Sequence, residues 1–434
     1  MASYRRADSR HLQVTAHLKT FPAANKDKSI KLRKYFWPLI LSACVIGLAG
    51  RADPIVDSRG KPLQWDVHLH LTAGYVAMSP LSRTLDLLTL LSIPQTVWLF
   101  VVAAIIVAGV VACRAHAGPA RAKRAAIALV CVVASVAVLE GAVIILPRPM
   151  ASLQATGPDI IRIDFHSHTN ASKDANKHFT PDDNRAWHID GGFDVAYISD
   201  HVTFNGVAEA MRKNPDVAGH GLVVLSAVEG RYHRILSTIM LGLVAHDSAL
   251  LDGKGHLLPG TPASGSEPVT IVAIPNGNID SVTAQSLDSL PHFAGMELVD
   301  AAPRGLGQLD REEAKIRRIA TDRHLILVAS SNNHGWGRTV AAWNLMTIRD
   351  WRTLTPALLE KEIERPFRDH RISSVTIVKR LRPRTHGIWL PLTFPVAAYQ
   401  TVSSLSPAER GVWLIWIWAA VTILALASRK RVSS

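Results

Sequence analysis

Cysteine is nearly absent from this chain: three residues in 434, Cys44, Cys113 and Cys131. All three fall in or beside long apolar runs, so the polar stretch 155–380 has none. That excludes a disulfide framework and any zinc–thiolate site there. Internal repeats and long low-complexity tracts are also missing, which excludes solenoids and propellers. Charged residues are sparse at 19%, and the mean hydropathy of +0.15 is high for a soluble protein.

The net charge of +13 suggests nucleic acid until it is mapped. Residues 155–380 carry 24 Lys and Arg against 27 Asp and Glu, which is close to neutral. The excess lies at the ends, with nine basic against two acidic residues in 1–34 and a basic tail at Arg429-Lys430-Arg431. These clusters flank apolar segments, so the positive-inside rule explains them and nucleic acid is not an expected partner.

Four apolar segments stand out: Tyr35–Gly50, about Thr89–Cys113, Ala125–Leu146 and Gly411–Ala427. Crossing a bilayer takes about 20 residues. The second and third suffice; the first and last are short but bracketed by basic residues able to snorkel. The loop Arg114–Arg124 has four basic residues and no acid. Residues 1–34 are therefore expected as a basic cytoplasmic tail, 35–150 as a membrane region of three transmembrane helices, and 386–434 as a C-terminal anchor with a basic tail. Residues 155–380 then lie outside the cytoplasm, periplasmic or extracellular. Lys379–Arg384 is the one basic cluster on the wrong side. Ile388–Ser404, interrupted by Pro391 and Pro395, is expected to lie along the membrane surface rather than cross it. Leu41-Ser42-Ala43-Cys44 has the spelling of a lipoprotein cleavage box, but apolar sequence continues past it.

From about Asp159 the texture becomes α/β. Short apolar runs recur at 160–165, 193–199, 222–228, 235–244, 269–274, 295–299, 325–329 and 343–348. Helices are expected from Thr180-Pro181, over Leu309–Asp322, and from Thr355-Pro356 through Glu364. The alternation predicts a mostly parallel sheet, barrel-like or open. Gly253–Glu267 reads as an excursion loop.

Polar residues collect at the strand ends. Asp164-Phe-His166-Ser-His168-Thr169 aims two imidazoles at one face, because strand residues two apart share a side. Asp200-His201 ends a second run, Glu229 a third and His334 a later one. Asp66-Val-His68-Leu-His70 repeats the spelling, but two expected membrane spans separate it from the other motifs. Glu297, at another strand end, reads as structural.

These motifs, with Ser172, Asp174, His233 and Ser331-Asn-Asn-His334, occur in the order and approximate spacing of the PHP family, named for polymerase and histidinol-phosphatase proteins. The resemblance covers about residues 159–380, half of the chain. It implies a distorted (β/α)7 barrel, here with flanking transmembrane helices, and divalent metals of the Zn, Mn or Fe type. It further implies His166, His168 and Glu229 around a first metal, Glu229 and His233 at a second, and Asp174, His201 and His334 at a third. Imidazoles and carboxylates suit these ions. Adjacent ions activate water and clamp a phosphoryl group, so no nucleophilic side chain is needed. Asp200 is expected to act through a histidine it orients.

Two motifs depart from the family. Ile274-Pro275-Asn276-Gly277-Asn278 stands where His-Pro is usual, and Ser331-Asn332-Asn333-His334 where Ser-Asp-x-His is usual. Asn276, Asn278 and Asn332 are thus weak substitute ligands or turn residues, and two metals are expected rather than three. Lys173, Arg231, Arg304 and Arg338 are candidate clamps for an anion, and Trp336 a candidate pocket wall. Glu140 lies inside an expected span, where a carboxylate invites attention. The leading expectation is a membrane-anchored phosphoesterase acting on a phosphorylated small molecule or lipid-linked substrate. The alternatives are a metal-dependent hydrolase of a non-phosphate bond and a degenerate barrel that binds a ligand or senses.

Overall fold

The computed structural model describes residues 26–114, 119–232, 236–243, 268–273, 279, 282–288, 293–302 and 305–430. Contacts divide the chain into two units, Met1–Ala43 with Ile417–Ser434, and Cys44–Trp416. In the first, Tyr35 stacks on Trp418 with centroids 6.5 Å apart. The second unit contains the α/β region.

The strands are β1 (Ile55–Asp57), β2 (Val67–Leu71), β3 (Ala151–Ala155), β4 (Ile160–Ser167), β5 (Val195–Ile198), β6 (Val223–Tyr232), β7 (Leu236–Leu241), β8 (Val269–Ala273), β9 (Phe293–Asp300), β10 (Ile326–Ser330), β11 (Ala342–Thr347) and β12 (Thr376–Arg380). The helices are α1 (Lys26–Leu48), α2 (Ala73–Ala77), α3 (Ser79–Thr89), α4 (Ile93–Arg114), α5 (Pro119–Ile145), α6 (Pro181–Gly191), α7 (Asn205–Met211), α8 (Ala284–Asp288), α9 (Asp310–Asp322), α10 (Pro356–Arg368), α11 (Thr393–Ser403) and α12 (Pro407–Lys430). Ten strands form one sheet in the order β1-β12-β11-β4-β5-β6-β7-β8-β9-β10. The fold is mixed α/β, with a curled sheet. It is not mostly parallel. The runs β4-β5-β6 and β8-β9-β10 are parallel, while β6-β7-β8 and β4-β11-β12-β1 are antiparallel. Three residues separate β6 from β7, too few for the crossover that a parallel pair requires.

Curling brings β10 back to β4. Asn332 N–H donates to the His166 carbonyl at 2.9 Å, and His168 N–H to the Asn333 carbonyl at 2.9 Å. Asn344 of β11 stitches the gap: its amide donates to the Ile163 and Ala329 carbonyls at 2.9 and 2.7 Å and accepts from Ala329 N–H at 2.7 Å. Along β4, Ile161, Ile163 and Phe165 enter an apolar cluster with Tyr197, Leu225 and Phe367. The period of two then places Asp164, His166 and His168 on the other face.

Helix α6 starts where expected, with Thr180 and Asp183 forming a capping box. It stops at Gly192, whose φ of 80° suits glycine. The expected span at Thr89 is two helices, because Thr89 closes α3. Gln95 accepts from Ser92 N–H at 3.0 Å, starting α4 afresh with Pro94 in its first turn. Among the described residues three helical stretches are long and apolar enough to cross a membrane, Ile93–Val111, Ala122–Ile145 and Pro407–Ala427; Tyr35–Leu48 is apolar but shorter. Residues 387–392 form a 3-10 turn leading into α11. Its 11 residues reach about 16 Å, half of a hydrocarbon core. The basic cluster 379–384 is occupied by local partners. Lys379 bonds the Ser58 carbonyl, Arg380 pairs with Asp86, Arg382 bonds the Leu306 carbonyl, and Arg384 pairs with Asp310 and Glu313.

Candidate metal centre

His166 of β4 and His168 just past its end are buried and point at each other, with Nε2 atoms 2.9 Å apart. His166 Nδ1 lies 2.7 Å from Glu297 Oε1, so it donates to that carboxylate. His168 Nδ1 lies 3.0 Å from Ser172 Oγ. That hydroxyl donates onward to Asp200 Oδ1 at 3.0 Å, and therefore accepts from the histidine. Both outer nitrogens are thus committed as donors, which leaves two lone pairs face to face. Two lone pairs at this distance repel unless a proton or cation sits between them.

Glu229 of β6 offers the negative charge that a cation there would need. Its Oε2 lies 3.2 Å from His166 Nε2, 3.4 Å from His168 Nε2 and 3.3 Å from His201 Nδ1. Its other oxygen accepts from Ser237 of β7. On the far side, Asp174 Oδ2 lies 3.3 Å from His201 Nε2 and 3.4 Å from His334 Nε2. His334 Nδ1 donates to the Asn332 carbonyl at 2.9 Å, so its Nε2 is a third free lone pair. Among the described residues the result is two overlapping triads whose donor atoms lie within 4.8 Å of one another and could hold a metal ion, His166–His168–Glu229 and His168–His201–His334. They share His168. The donors, imidazole nitrogen and carboxylate oxygen, suit Zn²⁺, Mn²⁺ or Fe²⁺.

Burial opposes charge on His166, but Glu297 and Glu229 overcome it and hold the imidazole well above its usual range. Burial drives His168 the other way, to about 3. Glu229 is held well below the carboxylate range by His166 and His201 despite its burial. His201 and His334 lower Asp174 against its own desolvation. The pocket therefore balances its carboxylates with positive charge placed among the ring nitrogens.

A further layer fixes these side chains. Asp200 accepts from Thr169 N–H at 2.6 Å, Thr169 Oγ1 at 2.7 Å and Ser172, so it reaches His168 only through Ser172. A Cβ at Gly206 would lie 2.2 Å from both Asp200 Oδ2 and Thr169 Oγ1, which explains glycine there. Asp164 accepts from His188 Nε2 at 2.9 Å and Ser331 N–H at 3.0 Å, tying β4 to α6 and to the segment after β10. Asn332 has a φ of 43° and donates to Asp300 at 3.3 Å, while its Oδ1 is buried without a partner.

Six of the expected ligands, His166, His168, Asp174, His201, Glu229 and His334, come together here. Asn332 lies beside them in the chain, its amide turned to Asp300. Arg231 is on β6 facing Ser237 in register. His233, Asn276, Asn278 and Arg304 fall outside the described residues. Arg338 is engaged by Asp190 and by the Arg148 carbonyl, and Lys173 is exposed. His68 and His70 are exposed on β2, paired with β3, and join no ligand cluster among the described residues. From the sequence Glu297 reads as structural and His188 does not stand out. Glu297 lies within β9, 131 positions from its partner, and His188 sits on a helix with no local signature.

No family model and no curated protein sequence matches the chain. Among solved structures, it is similar to a metal-dependent phosphoesterase (so assigned) from Bifidobacterium adolescentis, at 15% identity and a TM-score of 0.29, over 46% of this chain and 95% of that one. It is also similar to the lesion-specific endonuclease Q of Pyrococcus furiosus, at 12% identity and 0.35, over 52% and 60%. A third is an amidohydrolase from Chromobacterium violaceum, at 14% and 0.28, over 46% and 96%.

Proposed function

We propose that this protein is a membrane-anchored, metal-dependent phosphoesterase whose catalytic residues face away from the cytoplasm. The observation that carries the reading is the convergence of four imidazoles and Glu229 into two triads that meet at His168, with Asp174 beside the second. Bound divalent ions there supply activation of water and neutralisation of phosphoryl charge. The chain's own residues do the rest. Glu297 and Ser172 fix the tautomers of His166 and His168, and Asp200 anchors Ser172. Glu229 balances charge between the triads. Exposed Lys173, next to Asp174, offers a cation to an anionic substrate.

The membrane half of the reading rests on the three long apolar helices and on the basic clusters beside them. The exception at 379–384 loses its force, because local partners hold those side chains.

The test is hydrolysis by the full-length protein in detergent with Mn²⁺, using p-nitrophenyl phosphate, its bis-ester and p-nitrophenyl acetate. Turnover of a phosphate ester that His168→Ala abolishes supports the reading. Turnover of the acetate alone moves the protein to a non-phosphate hydrolase. Turnover of neither, by folded and metal-loaded protein, moves it to a ligand-binding barrel.

A further inference from the structure

His334 opens a strap, His334-Gly-Trp-Gly-Arg-Thr339, that joins β10 to β11. The strap is bolted to the end of a membrane-length helix. Thr339 Oγ1 donates to Asp86 Oδ1 of α3 at 2.8 Å and accepts from Arg148 at 2.8 Å. Arg148, three residues past α5, also donates to the Val143 carbonyl at 3.3 Å, and its own carbonyl accepts from Arg338 at 2.9 Å. Asp86 is buried and further held by Tyr75 at 2.7 Å and Arg380 at 3.1 Å. A Cβ at Gly337 would lie 3.6 Å from Thr89 Cγ2 and 3.7 Å from the Val143 carbonyl oxygen. The strap therefore rests where α5 ends.

Between Gly335 and Gly337, both at positive φ, stands Trp336, 52% exposed. Ile144, Ile145 and Leu146 follow Val143 and are exposed as well, Ile145 to 79%. An exposed tryptophan beside the terminus of an apolar helix is the arrangement favoured at a membrane–water interface. Trp336 is two residues from His334, at most about 7 Å of chain. The headgroup layer on each side of a bilayer is about 5–8 Å deep. An ester group held in that layer is thus within reach of the triads without its lipid leaving the bilayer.

We infer that the His334–Thr339 strap holds the metal centre at headgroup depth, with Trp336 in the interface, and that the substrate is the phosphate ester of a membrane-embedded amphiphile. This rests on the phosphoesterase reading and names its substrate class. Free phosphate esters share the reacting group, so the experiment must separate the two sources.

Full-length protein is reconstituted with Mn²⁺ in phosphatidylcholine vesicles and offered hexadecyl phosphate in the bilayer or butyl phosphate in solution. A kcat/KM at least ten-fold higher for the embedded ester supports the inference. Equal or faster turnover of butyl phosphate overturns the membrane substrate and leaves the phosphoesterase intact. Hydrolysis of neither overturns both. In a second arm, the Trp336 contribution to fluorescence is taken as the difference between the native protein and Trp336→Phe. Quenching by lipids brominated near the headgroup supports interfacial placement. Quenching by aqueous iodide but not by those lipids overturns it.

Discussion

Glu297 Oε1 and His166 Nδ1 lie 2.7 Å apart, both side chains buried. The carboxylate pins the imidazole so that Nε2 faces the shared space, and it raises that nitrogen's basicity. Exchanging it for an amide keeps the shape and removes the charge. Glu297→Gln is expected to weaken metal affinity by about 10- to 100-fold while the protein stays folded. Competition with a chelator reads this out, and unchanged affinity would show that the pair is only structural.

The triads are separable at Asp174. It touches His201 and His334 and makes no close contact with His166 or Glu229. Asp174→Ala should therefore lower the metal content by one ion per chain and leave the other in place. Loss of both ions, or of none, would mean that the two triads are not independent positions.

Asn344 closes the curl through three backbone hydrogen bonds while 1% exposed. Removing its amide leaves buried groups of Ile163 and Ala329 unpaired, at about 1–3 kcal/mol each. Asn344→Ala should cost about 3 kcal/mol or more and widen the gap that β10 crosses to β4. Urea unfolding checks this, and a loss below about 1 kcal/mol would show that water or relaxation replaces those bonds.

A pH-dependent strain lies on α10, away from the metal centre. Burial, with the charge of Glu364, pushes Glu360 from 4.5 up to about 7, and its Oε1 is buried without a partner. The folded state thus binds this proton more tightly than the unfolded chain. Its contribution falls as pH rises from about 4.5 to 7, and the full penalty applies above that. Glu360→Gln should stabilise the protein by roughly 1–3 kcal/mol at pH 8 and change little at pH 4. A Tm gain equal at both pH values would rule out a charge effect.

The convergence of His166 and His168 was legible in the sequence, because a period of two puts both on one face. Asp200-His201, Glu229 and His334 were legible as strand-end residues. What holds them was not. Glu297 was visible as a strand-end acid but read as structural, and nothing beside His188 marks it, because their partners lie 131 and 24 positions away. All eight expected strands are present, but their directions differ from expectation. Apolar runs specify burial and leave open which way a neighbour runs. The break at Ser92 was written in the chain as Ser-Ile-Pro-Gln, a helix start hidden inside an apolar run.

The central claim is that the two triads meeting at His168 hold two metal ions, the one free lone pair of His168 serving only one of them. Elemental mass spectrometry on full-length protein, purified in detergent without chelators or a His-tag and incubated with Mn²⁺ and Zn²⁺, tests it most directly. The account predicts about two ions per chain in the native protein and about one fewer in folded His168→Ala. One ion or none in the native protein, or two retained by the variant, would contradict it.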